Sequence, residues 1–327
     1  MSDMTEHPLV TFALFAYNQE EYIREAVEGA FSQTYEPLEI ILSDDCSSDR
    51  TFEIMQEMVA TYEGPHKIRE RQSPKNRGTL GHLLDVANEC CGKYFVVAAG
   101  DDISVPARVE LIVANFTSDT VAAISSDDIV IDKDGKERDW HAGRFQNRSI
   151  AHQKNPTWVL GATAAYRTDL LKSLPMPNER ILHEDTVLQE VLGIYGKISV
   201  RLTDRLIKRR SHEDNVWFKV EMVSAHDPLE EKKRENWRRN ASVMSYCAEV
   251  AINANVENRK RIAHQLTRRS RYFSYLASWP ELSVEGRLKL LVLSLVLADV
   301  RTGFPRLFGS RVFGLLKKAK GLIWLDP

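Results

Sequence analysis

The sequence predicts an α/β fold, in which a mainly parallel sheet is flanked by helices and followed by a helical C-terminal extension. Short apolar runs alternate with segments of helical period from Pro8 to about Asp128, a rhythm typical of βαβ units. Beyond about Ala225 the chain is charged and helix-like, and no strand pattern remains. We therefore expect one domain at 1–222 and a helical region at 223–327.

The first half of this domain carries four strand patterns. They lie at Leu9 to Ala16, Leu38 to Ser43, Lys67 to Gln72 and Tyr94 to Ala99. The third is polar, which favours the edge of the sheet. Asn18 and Ser47 to Asp49 are typical caps for the first two helices, and Asn76-Arg77-Gly78 is expected to turn the chain into the third.

The second half of the domain is less regular. A strand is expected at Val121 to Ser126, ending at Asp127-Asp128 and leading to a hairpin at Asp134-Gly135. Arg138 to Asn155 has no period and is expected to be an irregular loop over the ligand cleft. The later elements are a short helix after Thr168, a helix after Glu184 and a strand at Lys197 to Leu206.

Charge and cysteine content narrow the class of protein. Lys and Arg total 44 against 46 Asp and Glu, so the chain as a whole has no electrostatic reason to bind nucleic acid. The four cysteines lack the spacing of metal ligands, which favours free thiols in a reducing compartment. Met1 to His7 lacks the basic and apolar regions of a signal peptide, and we expect a cytoplasmic protein.

The C-terminal residues combine cations with aromatic side chains. Arg287 to Val300 is apolar but too short to span a membrane, which takes about 20 residues. Arg301 to Pro327 has the composition of an amphipathic helix attracted to anionic lipid, which would place the protein peripherally at the inner face of the cell membrane. A helix packed on the catalytic domain, or on the partner in a homodimer, explains the same composition, and both interpretations stay open.

Three acidic pairs follow strands or begin a helix, namely Asp44-Asp45, Asp101-Asp102 and Glu184-Asp185. Because ligands of open α/β sheets bind at the carboxyl ends of the strands, we expect these pairs at one site. Adjacent carboxylates repel each other, and a divalent cation between them and a ligand's phosphates relieves that repulsion. The sequence has no glycine-rich phosphate loop, so a cation is expected to balance the phosphate charge. The alternative for an isolated pair is an ordinary solvated turn.

Short motifs in a fixed order run from about Leu9 to Asn215. They are Phe15-Ala16-Tyr17-Asn18, Phe31-Ser32-Gln33-Thr34-Tyr35, Leu38 to Asp45, Asn76-Arg77-Gly78, Gly100-Asp101-Asp102, Tyr166-Arg167, Glu184-Asp185, and Arg209-Arg210 with His212. With these motifs in this order, the chain resembles the family-2 glycosyltransferases, which are enzymes that use nucleotide sugars. The resemblance implies a GT-A fold, Rossmann-like in its sheet, and an inverting sugar transfer assisted by Mg²⁺ or Mn²⁺.

The resemblance also implies a nucleotide-binding set. Ala16 and Tyr17 flank the base, Asp45 accepts a hydrogen bond from a base N–H, and Asp101 faces the ribose or the sugar. Arg77 is expected near the phosphates. For Asp45, a cap of the following helix is the alternative.

Metal and diphosphate contacts are implied in the same way. Asp102 is expected to bind the metal ion, with His212 completing its shell, and Arg209 and Arg210 are expected to bind the departing diphosphate. Ala99 stands where a further Asp often lies in the family, which weakens the case for metal dependence. The alternative for the two arginines is a basic strand end at the surface.

Asp185 matches the general base of the inverting members. A base there would take the proton from the acceptor hydroxyl as that hydroxyl attacks the anomeric carbon, and Glu184 would orient nearby groups. The alternative for this pair is an acidic first helical turn, which the helix dipole favours.

The expected function is therefore an inverting glycosyltransferase that moves a sugar from UDP or dTDP to the hydroxyl of a glycan or glycolipid acceptor, in surface polysaccharide synthesis. A catalytically inactive nucleotide-sugar-binding module in a polysaccharide-assembly complex is the first alternative, and the retained Asp185 argues against it. A nucleotidyltransferase is the second. It would need a basic glycine-rich loop near the N-terminus, and Ala16 to Glu21 is unlike one.

Overall fold

The computed structural model describes residues 7–138, 159–212 and 228–297 of the chain. The chain divides into two compact units between Asn215 and Val216, close to the boundary at 222 that the sequence predicts. The predicted loop at 138–155 lies outside the described residues except for Arg138, and the predicted amphipathic segment at 301–327 lies outside them altogether.

The first unit is built on an eight-stranded sheet with the strand order β3-β2-β1-β4-β7-β6-β8-β5. Its strands are β1 (Val10–Ala16), β2 (Leu38–Asp44), β3 (Lys67–Gln72), β4 (Tyr94–Ala99), β5 (Ile103–Ser104), β6 (Val121–Ile131), β7 (Ala164–Arg167) and β8 (Ile198–Arg210). Its helices are α1 (Ile23–Phe31), α2 (Thr51–Ala60), α3 (Gly78–Glu89), α4 (Arg108–Val113), α5 (Thr168–Lys172) and α6 (Glu184–Ile194). The α/β prediction is confirmed.

Strands β1, β2 and β4 form the parallel centre of the sheet. They read as continuous apolar runs because helices cover both faces of a parallel sheet, and Phe12, Ile40 and Val96 are fully buried in the core. Ala16 is level with Asp44 on one side of β1, and Phe15 is level with Ala99 on the other. The carboxyl ends of the three strands therefore meet at one edge of the sheet.

The other half of the sheet is antiparallel in part. β7 runs antiparallel to both β4 and β6, and β5 runs antiparallel to β8, whereas β6 and β8 are parallel. The sheet is thus mixed, with four of the seven pairings among its described strands parallel. The predicted edge position of β3 is confirmed.

Strand β6 does not end at Asp127-Asp128 as predicted. Both carboxylates stay within the strand because each pairs with an arginine of the adjacent β8, Asp127 with Arg201 and Asp128 with Arg209. β8 is also longer than predicted and includes Arg209 and Arg210. The hairpin is confirmed, since Ile131 forms an antiparallel bridge with Glu137.

The predicted cap of the first helix is wrong. α1 begins at Ile23, and Asn18 lies earlier, with a φ of 52°. Its backbone N–H donates to Ser47 Oγ at 2.8 Å and its Oδ1 accepts from Ser48 N at 2.9 Å, so it joins the loops that follow β1 and β2. The N-cap of α2 is Arg50, one residue after the predicted Ser47 to Asp49, but Asp49 Oδ1 accepts from Thr51 N, the first N–H of the helix, at 3.0 Å.

The second unit is helical over its described residues, as the sequence predicts. Its helices are α7 (Pro228–Asn253), α8 (Arg259–Ala277) and α9 (Val284–Val296). Its core contains Trp237, Tyr272, Leu276, Trp279 and Leu290. No helix among the described residues combines the length and apolarity needed to cross a membrane.

Candidate active site

Asp45 lies directly after β2 and is almost fully buried. Its Oδ1 accepts from Arg77 N at 2.8 Å and its Oδ2 accepts from Gly78 N at 3.1 Å. Burial raises the pKa of the carboxyl, and the two backbone donors oppose that rise. Asp45 therefore caps the start of α3 from a distant loop and not that of α2, the helix that follows it in the chain. Its role at the base of a nucleotide stays a prediction.

Gly78 is required at this capping contact. Its φ of +72° lies in the left-handed region that favours glycine, and a Cβ there would stand 2.6 Å from Cγ of Arg180. The exposed Arg180 thus lies against the α3 start, where its charge lowers the pKa of Asp45. The motifs did not single out Arg180. Arg77 itself pairs with Asp85 at 2.9 Å.

Ala16, Tyr17 and Gly100 surround the carboxyl end of β1. Ala16 is 3% exposed and Tyr17 is 46% exposed, so the tyrosine ring offers a surface to a ligand. A Cβ on Gly100 would lie 2.8 Å from Cβ of Ala16 and 2.5 Å from Oε1 of Gln19. Asp45 N donates to Ala16 O at 2.9 Å. The β1 end and the Asp45 loop are therefore in direct contact.

Asp101 and His212 come together across the sheet edge. His212 Nε2 lies 3.1 Å from Asp101 Oδ2, and the two side chains are only 8% and 12% exposed. The ring of Tyr22 lies 4.7 Å from the imidazole between centroids. Two predicted site residues that are distant in sequence are thus in direct contact.

Asp102 points inward from the same turn. It is 7% exposed, and its Oδ1 accepts from Arg210 N at 2.8 Å. Burial raises the pKa of Asp102 well above its usual range, and the charge of Asp101 adds to the rise. A positive charge brought to the pair would favour its ionised form.

Arg210 holds this acidic turn in shape. Its side chain is 1% exposed and lies 3.0 Å from Glu25. Its Nε donates to Asp101 O at 3.1 Å and its Nη1 to Lys133 O at 2.8 Å. Its guanidinium therefore binds the protein itself in this arrangement, as does that of Arg209, which pairs with Asp128.

Arg108 is a fully buried cation behind the acidic pair, and it was not among the predicted residues. Its Nη1 donates to Ser104 Oγ at 2.8 Å, and its Nη2 donates to Val97 O at 2.6 Å and Ala162 O at 3.3 Å. Burial lowers its pKa to about 9, and the charge of Asp102 opposes that change. Arg108 thus ties β5, which follows the Asp101-Asp102 turn, to β4 and to the segment before β7.

Glu184 and Asp185 begin α6 and are partly buried. Burial raises the pKa of Glu184 to about 7, and the charge of Asp185 adds to the rise. Asp185 Oδ1 accepts from Thr186 N at 2.6 Å. Gly161 packs against Glu184 Oε1 with no room for a Cβ, and the buried Tyr166 has its pKa raised well above the usual range by burial and by both carboxylates.

Hydrogen bonds join the segment just before this pair to the start of α3, which Asp45 caps. Leu80 N and Thr79 Oγ1, in the first turn of α3, donate to Ile181 O at 3.2 and 3.3 Å. The chain then reaches Glu184 three residues later. Hydrogen bonds and close contacts therefore connect all three predicted acidic clusters around one side of the sheet.

The side chains near the Asp101-Asp102 turn supply part of a coordination shell for a hard divalent cation. Among the described residues, no group of three His, Cys, Asp or Glu side chains is arranged to hold a metal ion. Asp101 and His212 offer one oxygen and one nitrogen ligand at close range, and Mg²⁺ or Mn²⁺ in nucleotide sites takes its remaining ligands from phosphates and water. The residues therefore fit a metal that is completed by a bound diphosphate.

A family model described as glycosyl transferase family 2 matches residues 11–174, about half of the chain. This chain belongs to glycosyltransferase family 2. The match includes Asp45, Asp101 and Asp102 and ends before Glu184. The family prediction made from the motifs is confirmed.

Proteins of other organisms resemble parts of the chain. A glycosyltransferase of Haemophilus influenzae is 34% identical over 137 residues, which cover 40% of each chain. The chondroitin synthase of Escherichia coli is 35% identical over 130 residues, covering 39% of this chain and 18% of the synthase. The aligned parts of this family-2 glycosyltransferase thus span less than half the length of these relatives.

Solved structures show the same fold. Residues 1–349 of Staphylococcus aureus TarS, in complex with UDP-GlcNAc, align with a TM-score of 0.55 and 17% identity over 91% of this chain and 82% of that one. The mannosyltransferase PcManGT of Pyrobaculum calidifontis, in complex with GDP-Man and Mn²⁺, aligns with a TM-score of 0.55 and 16% identity over 99% and 82%. These likenesses confirm the predicted fold class.

Proposed function

We propose that this family-2 glycosyltransferase moves a sugar from a UDP-sugar or dTDP-sugar donor to an acceptor hydroxyl, with inversion at the anomeric carbon. The observation that carries the proposal is the connected arrangement of Asp45, the Asp101-Asp102 turn and the Glu184-Asp185 pair. Asp45 and the Asp101-Asp102 turn follow β2 and β4, and Glu184-Asp185 begins α6, which supports the carboxylate role proposed for each of them. Proteins of similar fold bind UDP-GlcNAc or GDP-Man, which supports a nucleotide-sugar donor.

The nucleotide is proposed to bind at the carboxyl ends of β1 and β2. Asp45 accepts the N–H of the uracil or thymine ring, while Ala16 and the exposed ring of Tyr17 flank the base. Asp101 faces the ribose or the sugar, and Arg77 lies towards the phosphates. Asp45 is prepared for this role because backbone donors already fix its orientation.

A divalent metal, Mg²⁺ or Mn²⁺, is proposed at the acidic turn. Asp102 and His212 are its predicted ligands, and the contact between His212 and Asp101 adds Asp101 as a candidate. The metal would supply charge neutralisation of the departing diphosphate. Diphosphate binding by Arg209 and Arg210 stays a prediction, and it would require both to leave their present partners, Asp128 and Glu25.

Asp185 is proposed to remove the proton from the acceptor hydroxyl. A base on the side opposite to the leaving group enforces inversion. Glu184, whose pKa burial and the charge of Asp185 raise to about 7, is proposed to orient nearby groups. The acceptor is proposed to be a glycan or glycolipid of surface polysaccharide synthesis, at the cytoplasmic side of the membrane.

A donor panel tests the proposal. The full chain is heated with UDP, dTDP and GDP sugars, with and without Mn²⁺, because a ligand that binds the native state raises Tm by mass action. A metal-dependent rise with a UDP or dTDP sugar, together with slow release of the free sugar, supports the proposal. Binding without release or transfer would favour the inactive binding module, and the absence of any rise would contradict a nucleotide-sugar site.

A further inference from the structure

Helix α9 carries an apolar stripe on its outer side. Gly286, Leu290 and Ser294 are its buried residues. Five large apolar side chains on the other side are 54–77% exposed: Val284, Leu288, Val292, Leu295 and Val296. Their spacing places them along one side of a helix.

This stripe stands apart from the other exposed apolar residues. Elsewhere in the described chain, large exposed apolar side chains occur singly and are 37–46% exposed: Tyr17, Leu111, Ile198 and Ile252. Single exposed apolar residues are normal, whereas a continuous apolar row indicates a contact surface.

Helix α8, which packs against α9, is strongly basic. It contains six Lys or Arg residues and no Asp or Glu. Lys260, His264, Arg268 and Arg271 follow the spacing of one helical side, and all are exposed. In α7, by contrast, Arg238 and Arg239 are paired with glutamates of their own helix.

We infer that the apolar stripe of α9 and the cationic row of α8 dock the second unit on an anionic lipid surface. Apolar side chains at a bilayer interface enter the acyl boundary, and neighbouring cations are attracted by anionic headgroups. The sequence that follows α9 is also rich in cations, with six further Lys or Arg residues against two Asp. This inference concerns a surface of the second unit and does not rest on the proposed transfer reaction.

Charge favours lipid over the other partners. A nucleic acid would use the cations but would gain nothing from the apolar stripe. A second copy of the chain would bury the stripe while bringing two cationic α8 helices towards each other, which costs energy through like-charge repulsion. An anionic membrane uses both features at once.

Vesicle co-sedimentation of the full chain tests the inference. The vesicles contain phosphatidylcholine alone or phosphatidylcholine mixed with phosphatidylglycerol. We expect binding to the mixed vesicles only, weakening as salt rises. Equal binding to both kinds of vesicle, or none to either, would overturn the inference without the use of any variant.

Two variants separate the two features of the surface. Each Lys or Arg near an anionic surface contributes about fivefold to binding, so K260Q/R268Q/R271Q is expected to lose binding on the order of 100-fold. V284S/L288S/V292S is expected to lose roughly tenfold or more, because less apolar surface enters the interface. The salt dependence should remain in this second variant and shrink in the first.

The controls change exposed positions elsewhere in the described chain. K67Q/R69Q/K93Q removes three exposed cations of the first unit, and I252S removes an exposed apolar side chain of α7. Both should bind the mixed vesicles as the wild type does. Wild-type binding by either α8 or α9 variant, with an unchanged melting curve, would overturn the inference. So would a dimer in the absence of lipid that V284S/L288S/V292S abolishes, since the stripe would then belong to a second copy.

Discussion

Replacing Glu184 by Gln should change the pH dependence of stability in a direction fixed by the structure. In the folded protein, burial and the charge of Asp185 raise the pKa of Glu184 from 4.5 to about 7. A carboxyl whose pKa is raised on folding stabilises the folded state fully below its unfolded pKa, and that stabilisation is lost as pH rises through the folded pKa. Wild-type stability should therefore fall, through this group, between about pH 4.5 and pH 7.

The size of the effect follows from the pKa difference. One pKa unit corresponds to about 1.4 kcal/mol, so the free energy of unfolding should fall by roughly 3 kcal/mol over this range through Glu184. E184Q lacks the titrating group and should lack this fall. Its stability relative to the wild type should thus improve steadily from acid to neutral pH.

Urea unfolding of the two proteins at a series of pH values measures this difference directly. The exposed Glu179, five residues earlier, supplies the control E179Q, which should show no such trend. A difference between E184Q and the wild type that stays constant with pH would refute the reasoning, because Glu184 would then not titrate in the environment described.

Three further predictions concern the site geometry. G78A should lower stability by about 1–2 kcal/mol in urea unfolding, since alanine is strained at the φ of +72°, and unchanged stability would contradict the assigned strain. G161A should displace the Glu184 carboxylate and slow transfer on the order of 100-fold at unchanged donor affinity; a normal rate in a kinetic assay would show that the contact with Gly161 is irrelevant. D102N and H212A should each weaken Mn²⁺-dependent UDP binding by about tenfold or more, without changing UDP binding in the presence of a chelator. Calorimetry measures both affinities. If either variant binds UDP with the metal-dependent affinity of the wild type, the residue changed in that variant is not a metal ligand.

The parallel strands could be predicted closely from the sequence. β4 spans Tyr94–Ala99 as expected, because a strand buried on both faces is a continuous apolar run with polar ends. β7 and β5 were not predicted, since strands of four and two residues show no period. The full lengths of β6 and β8 depend on pairs such as Arg201 with Asp127, which a single sequence does not reveal.

The acidic clusters of the site could also be predicted, because they follow recognisable strands. The supporting residues could not. Arg108 was missed because its role depends on carbonyls of Val97 and Ala162, which are distant in sequence. One signal was present, namely a cation beside the buried Val109 and Ile112 in a short apolar helix. Arg180 and Gln19 carry no comparable pattern, and their positions follow only from close packing on Gly78 and Gly100.

In the proposed mechanism, Asp185 acts as the base of a site whose donor is bound elsewhere, by Asp45 and the acidic turn. The most direct test measures the donor dissociation constant and the transfer rate of D185N on the same preparation. D185N should bind the donor with unchanged affinity and transfer the sugar more slowly, on the order of 100- to 10,000-fold, as is typical when a positioned base is lost. Transfer by D185N at nearly the wild-type rate would contradict this mechanism.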